Sequence, residues 1–390
     1  MSLLQRKYGC WIVGGVAFDH KMKALQYASE TNNTSVEFYY HNSIWDQFDR
    51  KLLGKIPLTT LYKERAQQLR DTYDHLVLHY SGGSDSHNIL DTFITNNIKL
   101  DEVSVRWAKP LRDGKFYTAN NKDKTARNGV SEWDYAIKPE LDKLRATHPE
   151  IKITLVDFTD NLDTGIVSEN NLENRIIDLN FYRGCLATLT QRLDPSIEDK
   201  STIISGKKKI AHIFGIEKPY VSINGDNIDI YFQDSQLDGT IMPRNYEEES
   251  VEFFYWSPNF PLLPMEQAYQ LALLIRNDEA TREIFRYEGL PQNDPIRRAK
   301  VDAITQITKQ VLYSNSWDFS KFQAGKPNGS RSDWWFWLHE SSELNLLHKN
   351  FIQVMKNITH GIDSRLILVS QDTHTLVPTR TKFFNLLKIT

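Results

Sequence analysis

Leu76-Val77-Leu78-His79-Tyr80-Ser81-Gly82-Gly83-Ser84-Asp85-Ser86 joins an apolar run to a cluster of small polar residues, and a helical pattern starts directly after it. Ile89, Leu90, Phe93 and Ile94 recur at the 3.6-residue period of one helix face, and Asn96-Asn97 closes the pattern as a turn. The stretch therefore reads as strand, loop and helix, with the helix starting near Ser84. Two adjacent glycines let the backbone turn sharply and approach a ligand closely, and a helix start offers unpaired N–H groups with a partial positive charge. Such a loop suits an anion. Ser81, Ser84 and Ser86 add hydroxyls, while Asp85 would repel a bare phosphate and fits best with a magnesium ion between the two. Neither G-x-x-x-x-G-K-[ST] nor G-x-G-x-x-G occurs in the chain.

Ser81-Gly82-Gly83-Ser84-Asp85-Ser86 resembles the S-G-G-x-D-S signature of the PP-loop ATP pyrophosphatases, and its setting between an apolar strand and a helix is the one that family requires. The resemblance is specific in motif and short in extent. It implies a parallel sheet flanked by helices, of the PP-loop (HUP) type, with ATP and Mg2+ as cofactors. In that family ATP is cut between its α- and β-phosphates, and the adenylate activates an acceptor. Relatives include the synthetase domain of asparagine synthetase, NAD and GMP synthetases and tRNA-lysidine synthetase. The resemblance assigns pyrophosphate binding to Ser81, Gly82, Gly83, Ser84 and Ser86, and the magnesium ligand to Asp85.

The rest of the chain is read against that motif. Glu102 to Ala108 and Ile151 to Phe158 are expected to be further strands, and helical segments between strands argue for parallel β-α-β units. Ligands sit beyond the carboxyl ends of such strands, which brings Arg106, Trp107 and Lys109 toward the nucleotide; Trp107 serves equally as a wall for the base or as a core residue. Residues 117–128 form a long polar loop, readable as a lid or as a solvated excursion, and a helix from Glu132 to His148 with Ser131 as its cap follows. Asp157, Asp160 and Asp163 are candidates for a second magnesium ligand. Asn171 to Leu193 reads as helix, with Arg183 beside Gly184 as an anion-reaching candidate or a surface charge. Thr202-Ile203-Ile204, a Ser205-Gly206 turn and Lys207-Lys208-Lys209 suggest concentrated positive charge at the same sheet edge as the motif. Lys207 and Lys208 would act on the departing pyrophosphate and Lys209 would bind the nucleotide; solvated turn lysines are the other reading. Asparagine synthetase-like domains carry a later S-G-x-G-x-D-E loop, of which only Ser205-Gly206 remains here.

Tyr220 to Ile223 and Asp229 to Phe232 read as a hairpin across Asn224-Gly225-Asp226-Asn227. Three regions result: an α/β lead-in at 1–75, a nucleotide-binding domain at 76–234, and an α-rich region at 235–390. The lead-in comprises a strand with a glycine bend at residues 9–19, a helix around Met22 to Glu30, a strand at Ser35 to Tyr40 and an amphipathic helix from Leu58 to Tyr73. The last region opens with an acidic run, Glu247 to Glu252. It continues with helices at Met265 to Ile275, Pro295 to Leu312 and Ser341 to Asn357, a strand at Leu366 to Ser370 and a polar stretch at Thr379 to Lys382. The aromatic cluster Asp333-Trp334-Trp335-Phe336-Trp337 reads as core or interface, or as a stacking platform.

With 390 residues, 40% hydrophobic, 25% charged and a net charge of -3, the chain has the composition of a folded protein without general attraction to nucleic acid or anionic membranes. Cys10 and Cys185 are too few for a disulfide framework, a four-cysteine zinc site or a C-x-x-C pair. That argues against the thiolation and zinc-dependent relatives, and a reductase of phosphoadenylyl sulfate would need a cysteine later than Cys185. Position 2 is Ser where glutamine-dependent synthetases have Cys, and the lead-in is too short for their glutaminase domain, so built-in ammonia supply is not expected. No signal-like or membrane-spanning apolar stretch stands out, and a cytoplasmic location is expected. The expected activity is that of a ligase or amidotransferase-like enzyme that cleaves ATP to AMP and pyrophosphate, acting on a small-molecule acceptor and a nitrogen donor. Nucleic acid as acceptor has no supporting module, and a non-catalytic nucleotide- or partner-binding protein is the alternative.

Overall fold

The protein is described from a computed structural model, which covers residues 7–33, 35–106, 136–156, 173, 209–215, 219–234, 249–287, 290, 294–313, 342–360, 362, 376 and 379–389. The lead-in forms strands β1 (Cys10–Val13) and β2 (Val16–Phe18), helix α1 (Lys21–Glu30), strand β3 (Glu37–Tyr39) and helices α2 (Asn42–Asp46) and α3 (Leu58–Thr72). β1 pairs antiparallel with both β2 and β3, so the glycine bend read at residues 9–19 is a hairpin turning at Gly14-Gly15. Cys10 is buried in this sheet.

The apolar run of the motif becomes β4 (His75–His79), and the helical pattern after it becomes α4 (Ser84–Thr95). β5 (Glu102–Arg106), α5 (Lys138–Thr147), β6 (Lys152–Val156) and β7 (Ile210–Phe214) follow, then β8 (Tyr220–Asn224), β9 (Asn227–Tyr231) and β10 (Glu249–Phe253). Five of these strands make one sheet in the order β10-β7-β4-β5-β6, and every pairing in it is parallel. The chain runs outward from β4 through β5 to β6, returns to the other side of β4 as β7, and continues outward to β10. The order therefore reverses between β4 and β7, which is where open α/β sheets leave a crevice beyond the strand ends.

Side-chain alternation then assigns the faces. Leu76, Leu78, Val103, Val105, Ala211 and Ile213 pack in one buried core with Leu61, Ala66 and Leu69 of α3 and Ile89, Leu90 and Phe93 of α4. A second core joins Trp11, Phe38, Trp45 and Leu25 of the lead-in to Val251 and Phe253 of β10 and to Ile228 and Ile230 of β9. Helix α6 (Leu262–Asn277), followed by α7 (Glu279–Phe285) and α8 (Pro295–Leu312), contributes Met265, Leu271 and Ile275 to it. Helix α9 (Ser342–His360) adds Phe351 and Met355, and strand β11 (Phe384–Lys388) adds Phe384 and Leu386. The hairpin expected around Gly225 forms as β8 and β9, with Asn224 opposite Asn227, and β11 pairs antiparallel with β9.

Two expectations for the last region change. The acidic run Glu247 to Glu252 is in part the edge strand β10, so the sheet draws on both sides of the boundary drawn at 235. In β10, Val251 and Phe253 enter the second core, while Glu252 is buried against Arg65 Nη2 at 2.8 Å and Lys7 Nζ at 2.7 Å. The described C-terminal strand is β11, whereas the strand expected at Leu366 to Ser370 lies outside the described residues. The layers are also held by Asp234, which is wholly buried. It pairs with Lys21 Nζ at 2.8 Å, accepts from Trp11 Nε1 at 2.8 Å, and accepts from the Thr379 backbone N–H at 2.8 Å.

Candidate functional site

β4 delivers the chain to the crevice between itself and β7. The Tyr80 N–H donates to Ser104 O at 2.9 Å, which carries the parallel pairing one residue past the strand before the backbone breaks away. Gly82 follows with φ +76°, and a Cβ there would lie 2.4 Å from Ile137 Cγ1. Only glycine fits that position without displacing the segment leading into α5. Gly83 is the N-cap of α4, with extended backbone and no side-chain acceptor of its own. Its carbonyl accepts the first helical bond, from the His87 N–H at 3.0 Å. The amides of Ser84, Asp85 and Ser86 thus belong to the first turn, which has no intrahelical acceptors, and they present the positive end of the helix dipole.

The serines divide by role. Ser86 is buried, and its hydroxyl donates to Gly83 O at 3.1 Å and accepts from the Ser81 N–H at 3.2 Å. Ser81 Oγ lies 3.2 Å from Ser86 Oγ and 3.4 Å from the Gly83 nitrogen. Ser86 thus braces the loop from within, while Ser81 is the exposed hydroxyl at its mouth. Ser84 is buried, with its hydroxyl 3.4 Å from Asp85 Oδ1.

Asp85 is half-buried on the first turn of α4. Its backbone carbonyl accepts from Tyr255 Oη at 2.7 Å. Burial raises the pKa of the phenols of Tyr62, Tyr255 and Tyr313 above the usual tyrosine range, and the Asp85 charge raises each further. The carboxylate therefore lies near three buried phenols that stay neutral. Magnesium takes oxygen ligands, and it is commonly bound through one or two carboxylates plus substrate phosphates and water. Asp85 fits that pattern as a single protein carboxylate. Among the described residues no group of three or more His, Cys, Asp or Glu gathers as a metal centre.

Two features of the crevice were not singled out in the sequence. Gly215, directly after β7, passes flush against the start of α4: a Cβ there would lie 2.9 Å from Ser86 N and 3.0 Å from the Asp85 carbonyl carbon. A glycine closing an apolar run was its signal. On the sheet face away from α4, His79 Nε2 and His212 Nδ1 stand 3.0 Å apart, so one nitrogen donates and the other accepts. His79 also stacks on Phe214, with centroids 4.2 Å apart and planes at 5°. Farther along this face, Glu102 lies 3.6 Å from His75 Nε2 and accepts from Thr154 Oγ1 at 2.6 Å. Burial acts to raise the Glu102 carboxyl, but His75, Thr154 and Lys152 outweigh it and hold the pKa below the ordinary value. A central parallel strand is usually apolar on both faces. Histidines at alternating positions in apolar runs were the legible signal.

The lysine cluster is only partly described, and what is described differs from expectation. Lys209 precedes β7, and its backbone carbonyl accepts from the Asp74 and His75 N–H groups at the amino end of β4. Its N–H donates to Asp74 Oδ2 at 2.9 Å. Lys209 therefore stands at the edge of the sheet opposite the loop, because β7 begins directly after it. Lys207 and Lys208 lie outside the described residues, as do Trp107 and Lys109. The same holds for the 117–128 loop, Ser131, Asp157, Asp160, Asp163, Arg183 and the aromatic cluster at 333–337. Arg106 ends β5 at the carboxyl edge. Comparison of the chain with protein-family models, with curated proteins and with solved structures finds no match.

Proposed function

We propose that this chain is an ATP-dependent, ligase-like enzyme of the PP-loop type that cleaves ATP to AMP and pyrophosphate and activates a small-molecule acceptor for attack by a nitrogen nucleophile. The observation that carries the reading is the loop Ser81–Ser86, held between the carboxyl end of β4 and the amino end of α4 at the point where the strand order reverses. The order β10-β7-β4-β5-β6 puts the motif strand in the centre of a parallel sheet, which supports the reading.

In this reading the amides of Gly83, Ser84 and Asp85 and the hydroxyl of Ser81 grip the β- and γ-phosphates, and Gly82 leaves the backbone free to curl around them. Asp85 would hold a magnesium ion, which when bound would supply positive charge against the triphosphate. An acceptor carboxylate or carbonyl oxygen attacks the α-phosphorus, and the bond from that phosphorus to the bridging oxygen breaks to release pyrophosphate. The nitrogen nucleophile then adds to the activated carbon and AMP leaves. Most of the acceleration comes from positioning and charge neutralisation. Lys207 and Lys208 remain candidates for the leaving-group charge, and Lys209 is withdrawn from nucleotide binding by its place at the far edge. Among the described residues no helix is long and apolar enough to cross a membrane.

The test is pyrophosphate release across a panel of acceptors. AMP and pyrophosphate are the expected products, and Ser81→Ala and Asp85→Ala should each lower turnover by about a hundredfold or more. ADP and orthophosphate would overturn the assignment. The displaced Lys209 favours one second reading, a nucleotide-binding protein without turnover; ATP binding by calorimetry with no pyrophosphate from any acceptor would select it.

A further inference from the structure

We infer that Tyr255 is a positioning residue for the phosphate loop, acting through the hydrogen bond from its hydroxyl to the backbone carbonyl of Asp85. The inference rests on the phosphate-loop reading above. Tyr255 is wholly buried and lies just past β10, 170 positions from Asp85. Its hydroxyl donates to Asp85 O at 2.7 Å and accepts from Asn88 Nδ2 at 3.0 Å. One phenol thus grips α4 at its first turn and again three residues later.

The phenol is itself held in place. The Phe254 N–H donates to Phe214 O at 3.0 Å, and Arg65 donates to the carbonyls of Phe253 and Phe254 at 3.2 Å each. Tyr62 and Tyr313 pack their rings against Tyr255, with centroids at 5.7 and 5.6 Å. The amino end of α4 is therefore clamped between Gly215 of one neighbouring strand and Tyr255 of the next. Amides that must meet a phosphate within a few tenths of an ångström gain from such a clamp, because a loose first turn has to be ordered on binding.

The experiment uses the full chain and magnesium pyrophosphate as the probe, with affinity by calorimetry and stability by thermal unfolding. Tyr255→Phe removes the hydroxyl and keeps the ring. Tyr40→Phe is the control: Tyr40 is equally buried and donates to a backbone carbonyl one residue away, Trp256 O at 2.9 Å, but does not touch the loop. Tyr255→Phe is expected to weaken binding about tenfold, the affinity equivalent of one hydrogen bond, while Tyr40→Phe binds as wild type. Equal binding by a folded Tyr255→Phe protein overturns the inference, and so does equal weakening in both variants. If Tyr255→Phe does not fold, Asn88→Ala takes its place: weakening of about threefold, a part of one hydrogen bond, supports the inference and unchanged binding overturns it. A wild-type chain that does not bind the probe overturns the phosphate-loop reading itself, and is seen before any variant is made.

Discussion

Asp234 and Asp85 are both acidic residues set among aromatic rings, and they do opposite things. Asp234 has its charge met on every side, by Lys21, Trp11 and the Thr379 amide, and it is closed from solvent. Asp85 stands half-open at the crevice where the strand order reverses, with the buried phenols of Tyr62, Tyr255 and Tyr313 near it. A buried carboxylate with a dedicated cation is a staple. The contrast is between a closed, paired acid and a half-open one at the crevice.

The largest effect that would sharpen this contrast is on stability. Asp234→Ala strands the buried Lys21 ammonium and should cost about 3–5 kcal/mol in equilibrium urea unfolding. Asp85→Ala, at a half-buried site, should cost less, about 1 kcal/mol. Equal losses at the two sites would break the comparison. Next in size, Gly82→Ala forces a side chain into a left-handed backbone and against Ile137; a loss of about 1–3 kcal/mol is expected, with weaker ATP binding in the same preparation.

A third carboxylate, Glu252, extends the staple class into a pH dependence. Burial acts to raise its pKa, but Arg65 and Lys7 outweigh burial and hold it below the ordinary 4.5. Because the folded value is the lower one, its stabilisation is complete above about 4.5 and is lost as pH falls through the folded value. Urea midpoints measured downward from pH 6 should fall through that window, and Glu252→Gln should flatten the fall. Its neighbour Tyr73 is pushed up to about 12 by burial and by the Glu252 charge, so a tyrosinate signal from Tyr73 should appear later than that of an exposed phenol. The smallest effect is at the surface. Lys382 and Asp46 pair at 2.5 Å with about half of each side chain exposed, and Lys382→Ala should shift stability by about 0.5 kcal/mol or less.

What could be read in advance was what is encoded locally. The run 76–79, the glycine pair and the periodic Ile89, Leu90 and Phe93 give strand, loop and helix from neighbours a few positions apart, and the structure has all three. The β8–β9 hairpin and helices α1, α3, α6 and α8 were legible for the same reason. β10 was not, since three glutamates in a row look solvated; the residue that neutralises Glu252 lies 187 positions earlier. Lys209 was misplaced because Thr202 to Ile204 reads as strand as well as Ile210 to Phe214 does, and the strand that follows Lys209 sets it at the amino edge of the sheet. The Tyr255 bond to Asp85 joins residues with no pattern in common. Distant pairs leave no periodic trace.

The pairing of β11 with β9 has a consequence for how the molecule is made. Arg50 Nε donates to the carbonyl of Asn385 at 2.6 Å across 335 positions, and Phe384 and Leu386 lie in the same core as Trp11 and Trp45. During synthesis at about 5–20 residues per second, the first strands wait on the order of tens of seconds for the segment that covers them. Until then Trp11, Phe38 and Trp45 lack part of their cover, and a chaperone would find its clearest target there on a nascent chain.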